Sequence, residues 1–202
     1  SGTIDSTVRQ PVMNDLRTMY GNYVPSANIF YKNNLTAEPS VPTDFFGSGC
    51  AINGSPFVNN CNFDTAGEIL KWIYGPLNAK NAGLLTGSFI NFDQAAFWGN
   101  RNPNTHGMAS SGYAYVPAAC ATGQACRLHV AFHGCMQNVA SVGTAFYQNA
   151  GYNRWADTNK IVVLYPQAMA KANNPGGCWD WWGHDDVNFP AKSGGQMVAI
   201  KT

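Results

Sequence analysis

Two kinds of hydrophobic periodicity follow one another along the chain. In the first half, apolar residues recur every three or four positions in segments that start near Pro11 or Asp64 and end before a glycine, as helices do. Later, short apolar runs predominate, and the unbroken run 161–165 is typical of a strand buried on both faces. The pattern predicts helices at 11–20, 64–74, 142–152 and 193–200, strands at 28–31, 88–92, 112–116, 127–132 and 160–166, and a loop at 37–62.

Strands that alternate with helices indicate an α/β fold, with a central, mostly parallel sheet and flanking helices. The length of 202 residues fits a single domain that spans residues 1–202. Hydrophobic residues make up 45% of the chain and charged residues only 11%. This composition excludes a chain kept unfolded by its own charge.

The charge balance also limits the partners. Lys and Arg together number 12 and Asp and Glu 11, which gives a net charge of +1. A nucleic-acid-binding surface needs a basic excess, and a membrane span needs about 18 consecutive apolar residues. Neither is present in the sequence, so we expect no nucleic-acid partner and no membrane partner.

The cysteines and sequons indicate an exported protein. The six cysteines form an even set, and sequons at Asn34 and Asn53 offer glycosylation sites. Fifteen pairings are open, as are free thiols or a metal site, although the lack of a CxxC pair argues against metal. The start of the chain has no leader pattern, so we expect any export signal to lie outside this sequence. The simplest pairing joins Cys50 to Cys61, Cys120 to Cys126, and Cys135 to Cys178.

Two local patterns could carry chemistry. Segment 2–8 fits G-x-x-D-x-x-V, a form that α/β-hydrolases use for the loop of their catalytic acid, which would be Asp5. Segment 128–135 is an apolar strand followed by His-Gly-Cys. Such a strand end is typical of a loop whose backbone N–H stabilises an oxyanion. There, Cys135 would donate its N–H and His133 would shape the loop. The alternatives are a surface turn at Asp5 and a structural histidine at position 133.

The acid pattern precedes the donor loop, which is the reverse of the order in an ordinary α/β-hydrolase, and a circular permutation explains the reversal. In this combination the sequence resembles the secreted poly(3-hydroxybutyrate) depolymerases of the single-domain, circularly permuted α/β-hydrolase type. The similar segments span nearly the whole chain: 6–8, 12–14, 42–45, 70–75, 112–117, 128–135, 151–159, 164–167 and 177–181.

This resemblance implies a secreted enzyme that hydrolyses an aliphatic polyester, or its oligomers, by a Ser-His-Asp mechanism. It needs no cofactor and no metal. Asp5 would be the catalytic acid, and the Cys135 N–H would hold the oxyanion. An apolar cleft is implied as well, with Trp179, Trp181 and Trp182 as its candidate lining, although Trp179 could equally be a core residue.

The sequence departs from the family at two catalytic positions. The nucleophilic serine of the family lies upstream of the acid, whereas this sequence starts four residues before Asp5. We therefore expect the C-terminal portion of an incomplete catalytic domain. The serine would either lie on an N-terminal companion fragment or have been lost with its segment. The catalytic histidine of the family falls at Pro39, which cannot transfer a proton.

Substitutes for the missing nucleophile are poor. Ser193 opens the last helix and is better explained as a helix cap, and Cys135 is expected to be in a disulfide. A metal site would draw on residues whose spacing matches no common site. These are His133, Cys135, His184, Asp185 and Asp186. The competing hypothesis is a secreted binding protein of the same fold that has lost both serine and histidine.

Overall fold

The computed structural model describes residues 2–99 and 101–202, which form two compact units, Ser1–Leu77 and Asn78–Thr202. The expectation of a single domain over 1–202 stays a prediction. No helix among the described residues is long and apolar enough to span a bilayer.

The first unit contains two helices and a small sheet. Its elements are α1 (Gln10–Gly21), β1 (Val41–Thr43), β2 (Ser48–Gly49), β3 (Val58–Asn60) and α2 (Thr65–Tyr74). All pairs in the sheet are parallel, in the order β1-β3-β2. The Asp64 carboxylate caps α2 by accepting from the Gly67 N–H at 2.8 Å, and Leu70 of α2 is fully buried.

Two sequence predictions for this unit need correction. The segment 28–31 is not a strand: Ser26–Asn28 form a 3₁₀ turn, and Phe30 packs against the ring of Trp72 with centroids 5.6 Å apart. Its apolar residues therefore serve contacts with a helix rather than a sheet. The predicted loop 37–62 contains the whole small sheet, whose strands of two or three residues are too short to show a period. The helices at 11–20 and 64–74 are confirmed.

The second unit is built on a four-stranded sheet. Its elements are β4 (Ser88–Asp93), β5 (Ser111–Val116), α3 (Ala118–Ala121), β6 (Arg127–Val130), α4 (Val139–Val142), α5 (Ala145–Asn149), α6 (Tyr152–Asn159), β7 (Ile161–Tyr165) and α7 (Gly195–Lys201). The strand order is β4-β5-β7-β6. The β6–β7 pair is parallel, with Leu128 opposite Val162, while β4–β5 and β5–β7 are antiparallel. The α/β class is confirmed. The expected mostly parallel central sheet is corrected, because only one of the three strand pairs in this described sheet is parallel.

Two glycines cause the main difference between the predicted and the observed helices of the second unit. The predicted helix 142–152 is three short helices, because Gly143 and Gly151 adopt positive φ angles of 59° and 97° that interrupt it. The terminal helix is present, but Gly194 precedes it as the N-cap and no side chain caps it. The expected capping role of Ser193 is therefore wrong.

The two faces of the larger sheet differ in exposure. On one face, Tyr115, Val163 and Tyr165 are fully buried, and Tyr165 packs against Phe146 of α5 at 6.0 Å. On the opposite face, Leu128 is 60% exposed and reaches solvent. This second face consists of Ile90, Ala114, Leu128, Val162 and Leu164.

All six cysteines are paired. The disulfides are Cys50–Cys61, Cys120–Cys126 and Cys135–Cys178. The pairing proposed from the sequence is therefore confirmed.

The buried bond between Tyr165 and Asn153 gives a test of the core. The Tyr165 hydroxyl donates to Asn153 Oδ1 at 2.7 Å, and Asn153 in turn donates to the Tyr147 carbonyl. Tyr165→Phe removes the hydroxyl inside the core and should lower the free energy of unfolding by about 1–2 kcal/mol. Urea denaturation measures this change. The matched variant Tyr23→Phe, at a side chain that is 82% exposed, should change stability by less than about 0.5 kcal/mol. Equal effects would contradict the prediction.

Candidate active site

A loop with a fixed histidine follows strand β6. The His133 ring is 2% exposed, and its Nε2 accepts from the Ala168 N–H at 3.0 Å. Because Nε2 accepts, the proton lies on Nδ1, which donates to the Gly134 carbonyl at 2.7 Å. Burial lowers the pKa of His133, and the bond to Gly134 opposes part of that effect. This neutral imidazole has both nitrogens occupied, so it holds the loop and is not free to transfer protons.

The Cys135 N–H stands out among the amides of this loop. The Gly134 N–H donates to Gln137 Oε1 at 2.8 Å, and the Met136 N–H donates to the Gly176 carbonyl at 2.6 Å. Among the residues that the structure describes, Cys135 N–H donates to no protein acceptor. An unused amide between two occupied ones is what an oxyanion donor requires. The sequence did not indicate Gln137, since no local pattern marks a side chain that returns three residues to its own backbone.

A second segment holds the loop from the other side. Cys178 is bonded to Cys135, and the Trp179 indole N–H donates to the His133 carbonyl at 3.0 Å. The Trp179 ring also packs edge-on against Phe132, with centroids 5.1 Å apart. Phe132 and Trp179 line an apolar cavity of about 270 Å³. Trp179 is thus both a structural residue and a cavity wall.

The other two candidate tryptophans lie outside this cavity. Trp181 is 68% exposed and Trp182 41% exposed, with ring centroids 4.9 Å apart. The loop that carries them is fixed by Asp180, whose carboxylate accepts four successive backbone N–H groups, from residues 183–186. These bonds lower the pKa of Asp180 against the opposing effect of its burial. The two indoles therefore form an exposed aromatic surface on a fixed loop.

The first unit contains the candidate acid. Asp5 Oδ1 accepts from the Thr7 N–H at 2.9 Å and from the Val8 N–H at 2.6 Å, which closes a tight turn. Asp5 lines a cavity of about 280 Å³ whose wall also includes Glu38 and Ser40. The residues on both sides of Pro39 thus share a cavity with Asp5.

Glu38 is a member of this site that the sequence did not reveal. Its carboxylate accepts from the Ser6 hydroxyl at 3.1 Å and from the Ser6 N–H at 3.3 Å. These bonds tie the acid turn to the segment that contains Pro39. Only the three-dimensional structure brings the two segments, 32 residues apart in sequence, into contact.

The two sequons lie at the surface of the first unit. Asn34 and Asn53 are both exposed, and Asn53 Nδ2 donates to the Ser6 hydroxyl at 3.3 Å. Their glycosylation stays a prediction. Of the residues considered as metal ligands, Cys135 is in a disulfide and His133 is bonded through both nitrogens. His184 contacts Asp180 at 4.0 Å within the Trp-bearing loop.

Two depolymerases match this chain over nearly its whole length. A poly(3-hydroxybutyrate) depolymerase from Delftia acidovorans is 51% identical over 204 residues, which is 100% of this chain and 40% of the relative. A polyhydroxybutyrate depolymerase from Talaromyces funiculosus is 46% identical over 215 residues, which is 99% of this chain and 62% of the relative. No family model matches the chain.

Solved structures agree with these relatives. The crystal structure of PHB depolymerase from Penicillium funiculosum matches with a TM-score of 0.91 and 44% identity, over 98% of this chain and 66% of that one. A PHB depolymerase complexed with an R3HB trimer matches with a TM-score of 0.91 and 45% identity, over the same shares.

A strand that ends in a loop with an unused amide, in an α/β sheet, is an arrangement found in α/β-hydrolases. Together with identity of 44–51% over 98–100% of this chain, it shows that the chain belongs to the poly(3-hydroxybutyrate) depolymerase family. The chain spans from two fifths to about two thirds of the length of the relatives it matches.

The buried histidines make stability depend on pH. Burial lowers the pKa of both His129 and His133 in the folded state. The unfolded chain takes up these protons near pH 6.5, whereas the folded state does so only at lower pH. Stability should therefore be full above about pH 7 and fall on acidification, by at most about 1.4 kcal/mol per pH unit for each imidazole.

Urea denaturation between pH 5 and pH 8.5 measures this dependence. His133→Gln should flatten the slope below pH 6.5 and leave the slope above pH 7.5 unchanged. An unaltered slope below pH 6.5 would show that His133 does not contribute.

Proposed function

We propose that this chain is part of a secreted carboxylic-ester hydrolase that degrades poly(3-hydroxybutyrate)-type polyester. The observation that carries the proposal is the match of 98–100% of this chain to PHB depolymerases, one of them complexed with an R3HB trimer. The three disulfides support secretion, because such bonds persist in oxidising compartments.

The roles of the residues follow the Ser-His-Asp mechanism. A serine outside this chain attacks the ester carbonyl. In the family mechanism a histidine takes its proton and passes it to the leaving alcohol, and in this chain Pro39 stands at the position that the resemblance gives to that histidine. Asp5 would orient an imidazole at that position and stabilise its charged form. The Cys135 N–H donates to the oxyanion of the tetrahedral intermediate.

Substrate binding falls to the aromatic residues of the second unit. Phe132 and Trp179 offer an apolar cavity, while Trp181 and Trp182 offer exposed rings. Aliphatic polyester repeats lose water favourably against such surfaces. We infer that the cavity takes a repeat unit and that the exposed pair contacts the neighbouring polymer.

Pro39 gives the proposal its sharpest test, because it occupies the expected histidine position beside the Asp5 cavity. The variant Pro39→His, assembled with the serine-bearing segment of a relative, should hydrolyse a 3-hydroxybutyrate oligomer at least about 100-fold faster than the unchanged chain in the same assembly. Adding Asp5→Asn should remove most of that gain. The rate of oligomer hydrolysis is the measurement.

A second readout separates catalysis from folding. In proton NMR the introduced imidazole should titrate at higher pH in Pro39→His than in the double variant with Asp5→Asn, since a nearby carboxylate favours the charged imidazole. Equal titration would remove Asp5 as its partner. An assembly that binds the oligomer but never hydrolyses it, with either residue at position 39, would instead establish the non-catalytic binding protein.

Gly134→Val tests the oxyanion donor. A Cβ at Gly134 would lie 2.8 Å from Gln137 Oε1, so a branched side chain would displace the Gln137 side chain and release the Gly134 amide that it holds. Turnover in an active assembly should fall by about 100- to 1000-fold. The control is Gly83→Val, whose Cβ would meet Asn81 Oδ1 at an ordinary 3.5 Å. Unchanged turnover in a folded Gly134→Val protein would refute the role of this loop.

A further inference from the structure

The sequence contains one Asn-Gly pair, Asn53-Gly54, and it lies in an exposed loop of the first unit. The backbone nitrogen that follows an asparagine can reach the carbonyl carbon of that side chain most easily when its residue has no Cβ. The other sequon asparagine, Asn34, is followed by Leu35, whose side chain hinders this approach. The two exposed asparagines therefore differ in chemical reactivity.

The structure leaves the Gly54 nitrogen free to react. Among the residues that the structure describes, the Gly54 N–H donates to no protein acceptor. The carbonyls on either side are bonded instead: Ile52 accepts from Asn59 Nδ2 at 2.8 Å, and Gly54 accepts from the Phe57 N–H at 2.8 Å. A Cβ built on Gly54 would meet no heavy atom within 4 Å beyond its chain neighbours. The nitrogen is thus unbonded, and the space beside it is open.

The side chain of Asn53 is held only loosely. It is exposed, and its Nδ2 donates to the Ser6 hydroxyl at 3.3 Å. This distance is longer than the ordinary upper limit of about 3.2 Å for such a bond. The side-chain amide can therefore turn towards the Gly54 nitrogen at the cost of one weak hydrogen bond.

We propose that Asn53 is a site of spontaneous deamidation that alters the turn of Asp5. The Gly54 nitrogen attacks Asn53 Cγ and forms a C–N bond, while ammonia leaves from Cγ and takes up the proton of the Gly54 amide. Water then opens the cyclic imide at either carbonyl, which gives aspartate or isoaspartate. The conversion consumes water and releases ammonia, with no oxidant or cofactor. This inference goes beyond the proposed function and is measured without ester hydrolysis.

The product changes the contacts of the Asp5 turn. The Ser6 hydroxyl now accepts from Asn53 and donates to Glu38 Oε2 at 3.1 Å. A carboxylate at position 53 cannot donate, so a single Ser6 proton would serve two acceptors. The two carboxylates would also repel each other across this hydroxyl. Deamidation should therefore weaken the bond that ties the turn to Glu38.

The first experiment tests the site itself. The purified full chain is incubated at pH 8.5 and 37 °C, and peptide mapping by mass spectrometry follows the conversion of amide to acid. Residue 53 should convert at least about tenfold faster than Asn34 in the same sample. In the matched variant Gly54→Ala, a methyl group enters open space and hinders the attack, so conversion should slow at least about tenfold while the fold is retained.

The second experiment tests the effect on the turn. Asn53→Asp reproduces one product, and hydrogen exchange at 6–8 should become about two- to fivefold faster than in the unchanged chain. The control is Asn60→Asp, which adds the same charge in the same unit. Asn60 Oδ1 accepts from the Asn62 N–H at 3.3 Å, and aspartate preserves that bond. Exchange at 6–8 should be unchanged in this control.

The outcomes separate the two parts of the proposal. Equal conversion at positions 53 and 34, or undiminished conversion in Gly54→Ala, would refute the deamidation site. A glycan on every copy of Asn53 in the exported protein would do the same, because the amide nitrogen would then be occupied. Exchange at 6–8 that is unchanged in Asn53→Asp, or equally fast in Asn60→Asp, would refute the effect on the Asp5 turn.

Discussion

The hydrogen bonds of His133 fix the loop on which the candidate chemistry of the second unit depends. One ring nitrogen accepts from the Ala168 amide and the other donates to the Gly134 carbonyl, so the imidazole joins the end of β6 to the segment that follows β7. Because β6 and β7 are parallel neighbours, their carboxyl ends lie at the same edge of the sheet. A buried neutral histidine can bridge these ends without the cost of a buried charge.

The rest of the loop geometry follows from that bridge. With the Gly134 carbonyl held by the imidazole and its amide by Gln137, the peptide before Cys135 has a fixed orientation. Met136 adopts a φ of 61° and bonds back to Gly176, which turns the chain away immediately afterwards. The disulfide to Cys178 and the Trp179 bond to the His133 carbonyl secure the same loop from the facing segment. The Cys135 amide is therefore oriented before any substrate arrives, as electrostatic stabilisation of a transition state requires.

The sequence predicted most elements of this framework because they have a period or a terminator. Helices α1 and α2 have apolar spacing and a closing glycine, and β7 has an unbroken apolar run. The three short strands at 41–60 have neither, since two or three residues define no period. The division of the predicted helix 142–152 depends on the positive φ angles of Gly143 and Gly151. A glycine inside a helical pattern is compatible with both helix and turn, so the sequence does not predict these angles.

The candidate site was predictable only where the chemistry lies within one segment. His133, Gly134 and Cys135 are consecutive, so the strand-to-loop pattern located them together. Glu38 and Gln137 were not identified, because their roles arise from contacts that a linear pattern does not contain. The exposure of Trp181 and Trp182 likewise depends on the Asp180 carboxylate holding four amides, although the residue types alone identified the pair as aromatic contacts.

The Asp5 carboxylate and the Cys135 amide are the two candidate catalytic groups in this chain, and they are not equally strong evidence for an enzyme. Asp5 already has a structural use, because its Oδ1 closes the turn to Thr7 and Val8, so selection for folding alone could keep it. The Cys135 amide has no protein acceptor within the described residues, while the amides on both sides of it do. Because Cys135 is exposed, its amide is accessible to a ligand, whereas the amides on both sides of it are already bonded. The oriented, unused amide is therefore the stronger indication of ester chemistry. Pro39 concerns proton transfer and does not alter the geometry of this amide.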